Sequence, residues 1–263
     1  MTFPIYNRGL VYHKVSEKIE WGLTTTTPKQ FKAQMLDLQR LGLIFTCVKD
    51  YDQDQNQVLV TFDDGYVSVY DHAAPILEAL NGVATVFAIT DFVGKKNSWD
   101  YFPEDKQVDH MNWTQLRTLH EKGWEIGSHG CSHRRLLSLE KSVVQHELVN
   151  SKREIEDRLG GEVKTFCPPF NAWDEDLLGR VEEAGYDKLA ISFPLETLPS
   201  WKGRFIPRLG VYIHDLRPLF LGKVLTTPLA PFQVLQQQVI NLAGDGRLLE
   251  AWGGQNDEHK KTR

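Results

Sequence analysis

Four short segments carry the side chains with obvious chemical use: Asp63-Asp64-Gly65, His129-x-x-x-His133, Cys167-Pro168-Pro169-Phe170 and His214. Two neutral imidazoles and a carboxylate make a divalent metal set that leaves positions open for water and substrate. The plainer alternative for an H-x-x-x-H segment is one histidine capping a loop and the other at the surface. Adjacent carboxylates repel, so Asp63 and Asp64 need positive charge nearby to stay ionised together. Successive side chains leaving a strand point different ways, so one carboxylate can hold a metal while its neighbour serves as a base.

Each segment follows an apolar run. Val58 to Phe62 precedes the aspartates, Trp124 to Ser128 precedes His129, Thr165 to Cys167 leads into the proline pair, and Leu209 to Ile213 ends at His214. In parallel α/β folds, sites gather at the carboxyl ends of strands. Elements between the runs read as helices. Thr27 is positioned to cap, Pro28 to open and Gln30 to complete a capping box for the helix carrying Phe31, Met35, Leu38 and Leu41, which Gly42 closes. Leu43 to Val48 reads as a strand buried on both faces. Pro75 should bend the helix of Val67 to Leu80. Further strands are expected at Leu10 to His13, Ala84 to Ile89, Lys188 to Ser192 and Phe205 to Ile213. Further helices are expected at Trp113 to Glu121, Ser142 to Leu159, Asp174 to Ala184 and Pro231 to Leu242. Strand and helix alternating in this way predict an α/β chain built of parallel βα units.

Composition narrows the classes. Hydrophobic residues are 41% and charged residues 25% of 263, an ordinary globular balance. The net charge of −5 argues against a broad nucleic-acid-binding face. No apolar run reaches the roughly 18 residues of a membrane span. Three cysteines fit a reducing compartment, and Met1 to Leu10 is not built like a secretory signal, so a cytoplasmic location is expected.

Thr61-Phe62-Asp63-Asp64-Gly65 and Ser128-His129-Gly130-Cys131-Ser132-His133 resemble, in order and spacing, the first two motifs of the polysaccharide deacetylases, carbohydrate esterases related to chitooligosaccharide deacetylase. The flanks Tyr66-Val67-Ser68-Val69-Tyr70, Ala84-Thr85-Val86-Phe87 and Trp124-Glu125-Ile126-Gly127 are similar too, and the likeness runs from about Gly9 to Val224. It implies a distorted (β/α) barrel with fewer than eight strands; the strand–helix pattern reads as a single domain, residues 1–243, and the glycine-rich, charged residues 244–263 as a loose tail. It further implies that Asp64, His129 and His133 bind a divalent metal, zinc first and cobalt or nickel next. Asp63 would then be the general base, the Phe170 backbone N–H part of an oxyanion hole, and His214 the general acid.

Cys167 stands where the family usually has an arginine that orients the base, and Phe170 where it has a tyrosine. Arg208 could approach from a later strand instead, or simply pair at the barrel rim. Tyr66, Trp99, Cys167, Pro169 and Arg208 are the expected substrate-side residues; Trp173 and Trp201 are either sugar platforms or core. His13 is expected to make a structural hydrogen bond, and His72, His110, His120 and His146 to be solvated. The implied activity is hydrolysis of an N-acetyl amide on an N-acetylamino sugar or polysaccharide. Two alternatives stay open: opening of a cyclic imide or ureide on the same fold, and a sugar-binding homologue that has lost catalysis. Oligomeric state is not readable from the sequence.

Overall fold

A computed structural model describes residues 9–18, 24–52, 55–97, 108–192 and 203–225. The expected helix at 231–242, the tail from 244, Trp99 and Trp201 lie outside them. Along the chain come β1 (Gly9–Tyr12), β2 (Lys14–Val15), β3 (Thr25–Thr26), α1 (Pro28–Arg40), β4 (Ile44–Thr46), β5 (Gln57–Phe62), α2 (Ala74–Glu78) and β6 (Thr85–Ala88). They are followed by α3 (Trp113–Glu121), β7 (Glu125–Ser128), α4 (Lys141–Leu159), β8 (Thr165–Phe166), α5 (Glu175–Glu183), β9 (Lys188–Ser192), β10 (Phe205–Gly210) and α6 (Arg217–Val224).

Strands β5 to β10 pair successively, β10 pairs β1, and β1 returns to β5, so seven parallel strands close a barrel. That is the distorted barrel the sequence implies. β4 pairs only the first half of β5, Ile44 opposite Gln57 through Thr46 opposite Leu59. The expectation of burial on both faces therefore fails at Ile44, which is 58% exposed. β2 and β3 form a separate two-stranded ladder.

Alternation along each strand splits the core into two layers. Phe62 faces outward to the helices, its ring 5.7 Å from Tyr12, 5.8 Å from Phe31 and 6.0 Å from Trp124. Burying such a ring stabilises by about 1.5–3 kcal/mol. Leu59 faces the other way, into a small cluster with Val48, Phe87, Cys167, Ala190 and Ile206. A Cβ at Gly127 would lie 2.6 Å from the Phe87 ring, so only glycine lets β7 pass this interior aromatic.

Helix ends follow the sequence closely. The Thr27 hydroxyl accepts from the Gln30 N–H at 3.1 Å, and Pro28 opens α1. The Gln30 side chain, however, donates to the carbonyls of Ile213 and Asp215 rather than closing a capping box. Pro75 marks the change from a π-helical stretch, Val69–Ala73, to α2. The last barrel strand ends at Gly210, short of the expected Ile213, and α6 was not anticipated.

Candidate active site

The carboxyl ends of β1, β5, β7, β8 and β10 meet at one rim. Asp63 continues β5, its N–H donating to the Tyr12 carbonyl at 3.0 Å. It shares the interior face with Thr61, and from β10 Arg208 reaches both. Its Nη1 donates to Thr61 Oγ1 at 2.8 Å and to Asp63 Oδ1 at 2.6 Å, and its Nη2 donates to Asp63 Oδ2 at 3.2 Å and to Cys167 Sγ at 3.0 Å. The guanidinium is 1% exposed and lies 5.1 Å over the Phe87 ring. The position left open by Cys167 is thus served by an arginine from a later strand, as the sequence allowed.

One residue on, the backbone turns left-handed. Asp64 has φ 69° and Gly65 φ 72°, so the two neighbouring carboxylates diverge. Asp64 Oδ1 lies 3.4 Å from His129 Nε2 and 3.3 Å from His133 Nε2. The His129 Nδ1 lies 2.6 Å from the Cys167 carbonyl. A carbonyl only accepts, so this nitrogen carries the proton and Nε2 is the one aimed at Asp64. Of the five non-glycine residues with positive φ among those described, four belong to this rim: Asp64, His133, Phe170 and Asn171. Such strain concentrates where a ligand site needs it.

Two groups of potential ligands emerge, Asp64–His129–His133 and Asp63–His129–Cys167. Donor chemistry separates them. Both Asp63 oxygens are committed to Arg208, whereas a single Asp64 oxygen faces two imidazole nitrogens, so the first set fits a divalent ion. Burial alone would push the Asp63 carboxyl up, but the charges of Arg208, His129 and His13 outweigh it and hold it below the usual carboxylate range. Burial opposes ionisation of Asp64 likewise, and hydrogen bonds from His129 and His133 bring it well below that range.

The remaining expected residues distribute unevenly. Phe170, 41% exposed, packs its ring 4.8 Å from that of His133 and holds φ 59°, ψ 14°. The next two N–H groups donate to Pro168 and Pro169, and the Phe170 N–H has no backbone acceptor among the described residues. Pro169 is buried beside it. Tyr66 is a packing residue: buried, with Lys14 Nζ 4.7 Å from its ring centre and the His110 ring at 4.7 Å. Trp173 packs on Phe205 at 5.1 Å, part of the core. His214 is exposed in the turn after β10 and stacks on Tyr212 at 5.6 Å.

Two histidines matter more than sequence reasoning allowed. His110, expected in solvent, is buried and donates from Nδ1 to the Asp64 carbonyl at 2.8 Å, fixing the left-handed turn. Its signal in the sequence was only a place in a long aromatic loop. His13 follows β1 directly opposite the aspartates, since Tyr12 pairs with Phe62.

The sequence profile of the polysaccharide deacetylases matches residues 50–189, more than half of the chain. The chain belongs to the polysaccharide deacetylase family. YxkH of Bacillus subtilis (strain 168), which carries the same family name, is 27% identical over 188 residues, 67% of this chain and 61% of its own length, so the match spans about three fifths of that relative. A poly-β-1,6-N-acetyl-D-glucosamine N-deacetylase of Staphylococcus aureus is 23% identical over 204 residues, covering 70% of this deacetylase-family chain and 67% of that one. Among solved structures, the Streptococcus pyogenes deacetylase PplD superimposes with TM-score 0.71 at 17% identity, over 84% of this chain and 99% of that one. IcaB from Ammonifex degensii gives 0.70 at 20%, over 82% and 95%. These likenesses establish the family barrel. No helix of the described residues is long and apolar enough to cross a membrane.

Proposed function

We propose that this family member is a metal-dependent hydrolase that removes the acetyl group from an N-acetylamino sugar within a saccharide. The observation that carries the reading is the division of labour between neighbours: Asp64 faces two imidazole nitrogens, while both Asp63 oxygens accept from Arg208. Asp64, His129 and His133 would hold a divalent ion, zinc first, with cobalt or nickel as substitutes. Such an ion supplies Lewis-acid polarisation of the amide carbonyl and promotes ionisation of water.

The chain's own groups account for the proton movements. Asp63, kept ionised by the Arg208 fork, accepts a proton from the attacking water. The C–O bond forms at the acyl carbon, and the Phe170 N–H stands at the rim to donate to the developing oxyanion. Breaking the C–N bond then needs a proton on the leaving nitrogen. His13 is the donor this reading favours, because it leaves β1 level with the aspartates that leave β5; exposed His214 is the second candidate. Acetate and a free amine result. The exposed Phe170 ring beside His133 offers an apolar face toward a sugar.

Cys167 had opened the readings of a cyclic-imide hydrolase and of a binder without catalysis. The bidentate pairing of Arg208 with Asp63 answers that departure and favours hydrolysis of an acyclic amide. The test is acetate release from β-1,6- and β-1,4-linked N-acetylglucosamine oligomers, after chelation and after adding back zinc, cobalt or nickel. Asp63→Asn should keep one equivalent of metal and lose about 10²-fold or more in turnover; Asp64→Ala should lose the metal. No acetate from any oligomer with metal restored refutes the proposal.

A further inference from the structure

The loop that bears both histidine ligands is held from two sides. The segment after β6 holds its carbonyl side, the N–H groups of Thr90 and Asp91 donating to the Gly130 and Cys131 carbonyls at 3.2 and 3.0 Å, and α4 holds its N–H side from two consecutive turns. Glu147 of α4 is 1% exposed and turns its carboxylate into the loop. Its Oε2 accepts the backbone N–H of Cys131 at 2.7 Å and of Ser132 at 3.0 Å. Its Oε1 accepts the Ser132 hydroxyl and, at 3.1 Å, Nη2 of Arg134. Four donors on one ionised group are the strong kind of hydrogen bond. Burial would push the Glu147 carboxyl up, but these donors bring it below its ordinary value.

The second anchor is a relay. The Gly130 N–H donates to Ser128 Oγ at 3.2 Å, Ser128 Oγ to Ser151 Oγ at 2.7 Å, and Ser151 Oγ to the Glu147 carbonyl at 2.6 Å. The relay therefore ties Gly130, the residue before the two N–H groups that the carboxylate accepts, to the backbone of Glu147 itself. Backbone geometry shows that the fit is required. Gly130 has φ +80° and a Cβ there would sit 3.1 Å from Glu147 Oε2, while His133 leaves the loop at φ 57°. A left-handed histidine persists only where its surroundings over-determine it.

We infer that Glu147 is a positioning residue for the metal: it fixes the 130–134 loop in the one conformation where the His129 and His133 Nε2 atoms converge on Asp64. The inference rests on the metal reading above. Glu147 touches none of the three ligand side chains through its carboxylate, so its effect is carried by backbone geometry alone. Glu147→Gln keeps the side-chain size but gives one oxygen and one NH₂ to face four donors.

The experiment measures zinc affinity by chelator competition, the absorption spectrum of the cobalt-loaded protein, and circular dichroism and Tm of the metal-free proteins. Folded metal-free Glu147→Gln should bind zinc about 10- to 100-fold more weakly, with an altered cobalt spectrum. Glu147→Asp, which keeps the charge on a shorter stem, should recover part of that loss. A purely structural role would lower the Tm yet leave the zinc affinity of the folded protein and the cobalt spectrum unchanged. Should Glu147→Gln not fold, Ser132→Ala combined with Arg134→Ala takes its place. It strips both donors from Oε1 and leaves the backbone bonds, and zinc binding should weaken several-fold. Zinc affinity within twofold of wild type in a folded Glu147→Gln, or in that double variant, overturns the inference alone. A wild-type chain that takes up no zinc overturns the metal reading and this inference with it.

Discussion

Replacing Arg208 by methionine removes the guanidinium but keeps an unbranched apolar stem against Phe87. Asp63 is then left buried, 7% exposed, with both of its arginine hydrogen bonds gone. Breaking a buried pair by removing one member costs about 3–5 kcal/mol, because the surviving charge stays desolvated. In a chain of this size each kcal/mol moves the Tm by about 2–4 °C, so Arg208→Met should melt roughly 6–20 °C lower at pH 7. The double variant Arg208→Met/Asp63→Asn carries no orphaned charge and should regain at least about 1 kcal/mol.

Acidity supplies an independent check with a defined sign. In the wild type the Asp63 carboxyl is below its ordinary value, so its contribution is present above the unfolded pKa near 3.9 and is lost as pH falls through the lower folded one. Without Arg208, burial dominates and raises that pKa. The stability gap between Arg208→Met and wild type should therefore narrow on acidification from pH 7 toward pH 4, and the acid limb of kcat/KM should move to higher pH. Urea unfolding at both pH values, with acetate release across the range, measures this. A gap under about 1 kcal/mol at pH 7, or one that does not narrow toward acid, would refute the assignment of Arg208 as the counter-charge of Asp63.

Three further outcomes follow from the geometry. His13→Ala should cost about 10²-fold in turnover with metal retained, and His214→Ala under threefold; the reverse ranking would return the acid role to His214. Phe170→Gly should be about 1 kcal/mol more stable than Phe170→Ala, since glycine adopts φ 59° freely, and equal stabilities by denaturation would show that no strain is held there. Burial pushes the Cys47 thiol up to about 12 and the Cys131 thiol up to about 11, so neither should be alkylated by iodoacetamide at pH 8 until the chain is unfolded; prompt labelling of the native protein contradicts their burial.

The convergence of Asp64, His129 and His133 was readable because they follow strand ends and two of them share one short segment. Arg208 was readable only as a possibility: its partner lies 145 residues away, and nothing local announces that β10 and β5 flank the same strand. Glu147 and His110 left no trace, since an acidic residue in an amphipathic helix and a histidine in a loop look solvated until tertiary packing buries them. The same cause explains Gln30. Its spacing from Thr27 satisfies the capping pattern, but the carbonyls of Ile213 and Asp215 lie within reach and take its side-chain donors. β4 read as fully buried because a continuous apolar run does not reveal that its strand lies at an edge.

β1 sits between β5 and β10, and this has a consequence for how the protein is made. During vectorial synthesis β1 and β5 are available to each other early, whereas β10 leaves the ribosome some 145 residues after Asp63. Until then the nascent chain has an open seam along one side of β1, and Asp63 keeps its water shell because no counter-ion is there to replace it. Contacts of such long sequence separation form slowly. The final zipping of β10 onto β1 thus joins three events in one: the seam disappears, the ion pair is desolvated, and the Asp63 carboxylate is fixed on Arg208. A chain stalled before that step holds its histidines and both aspartates yet lacks the Arg208–Asp63 pair, so under the proposed mechanism closure of the barrel and acquisition of activity coincide.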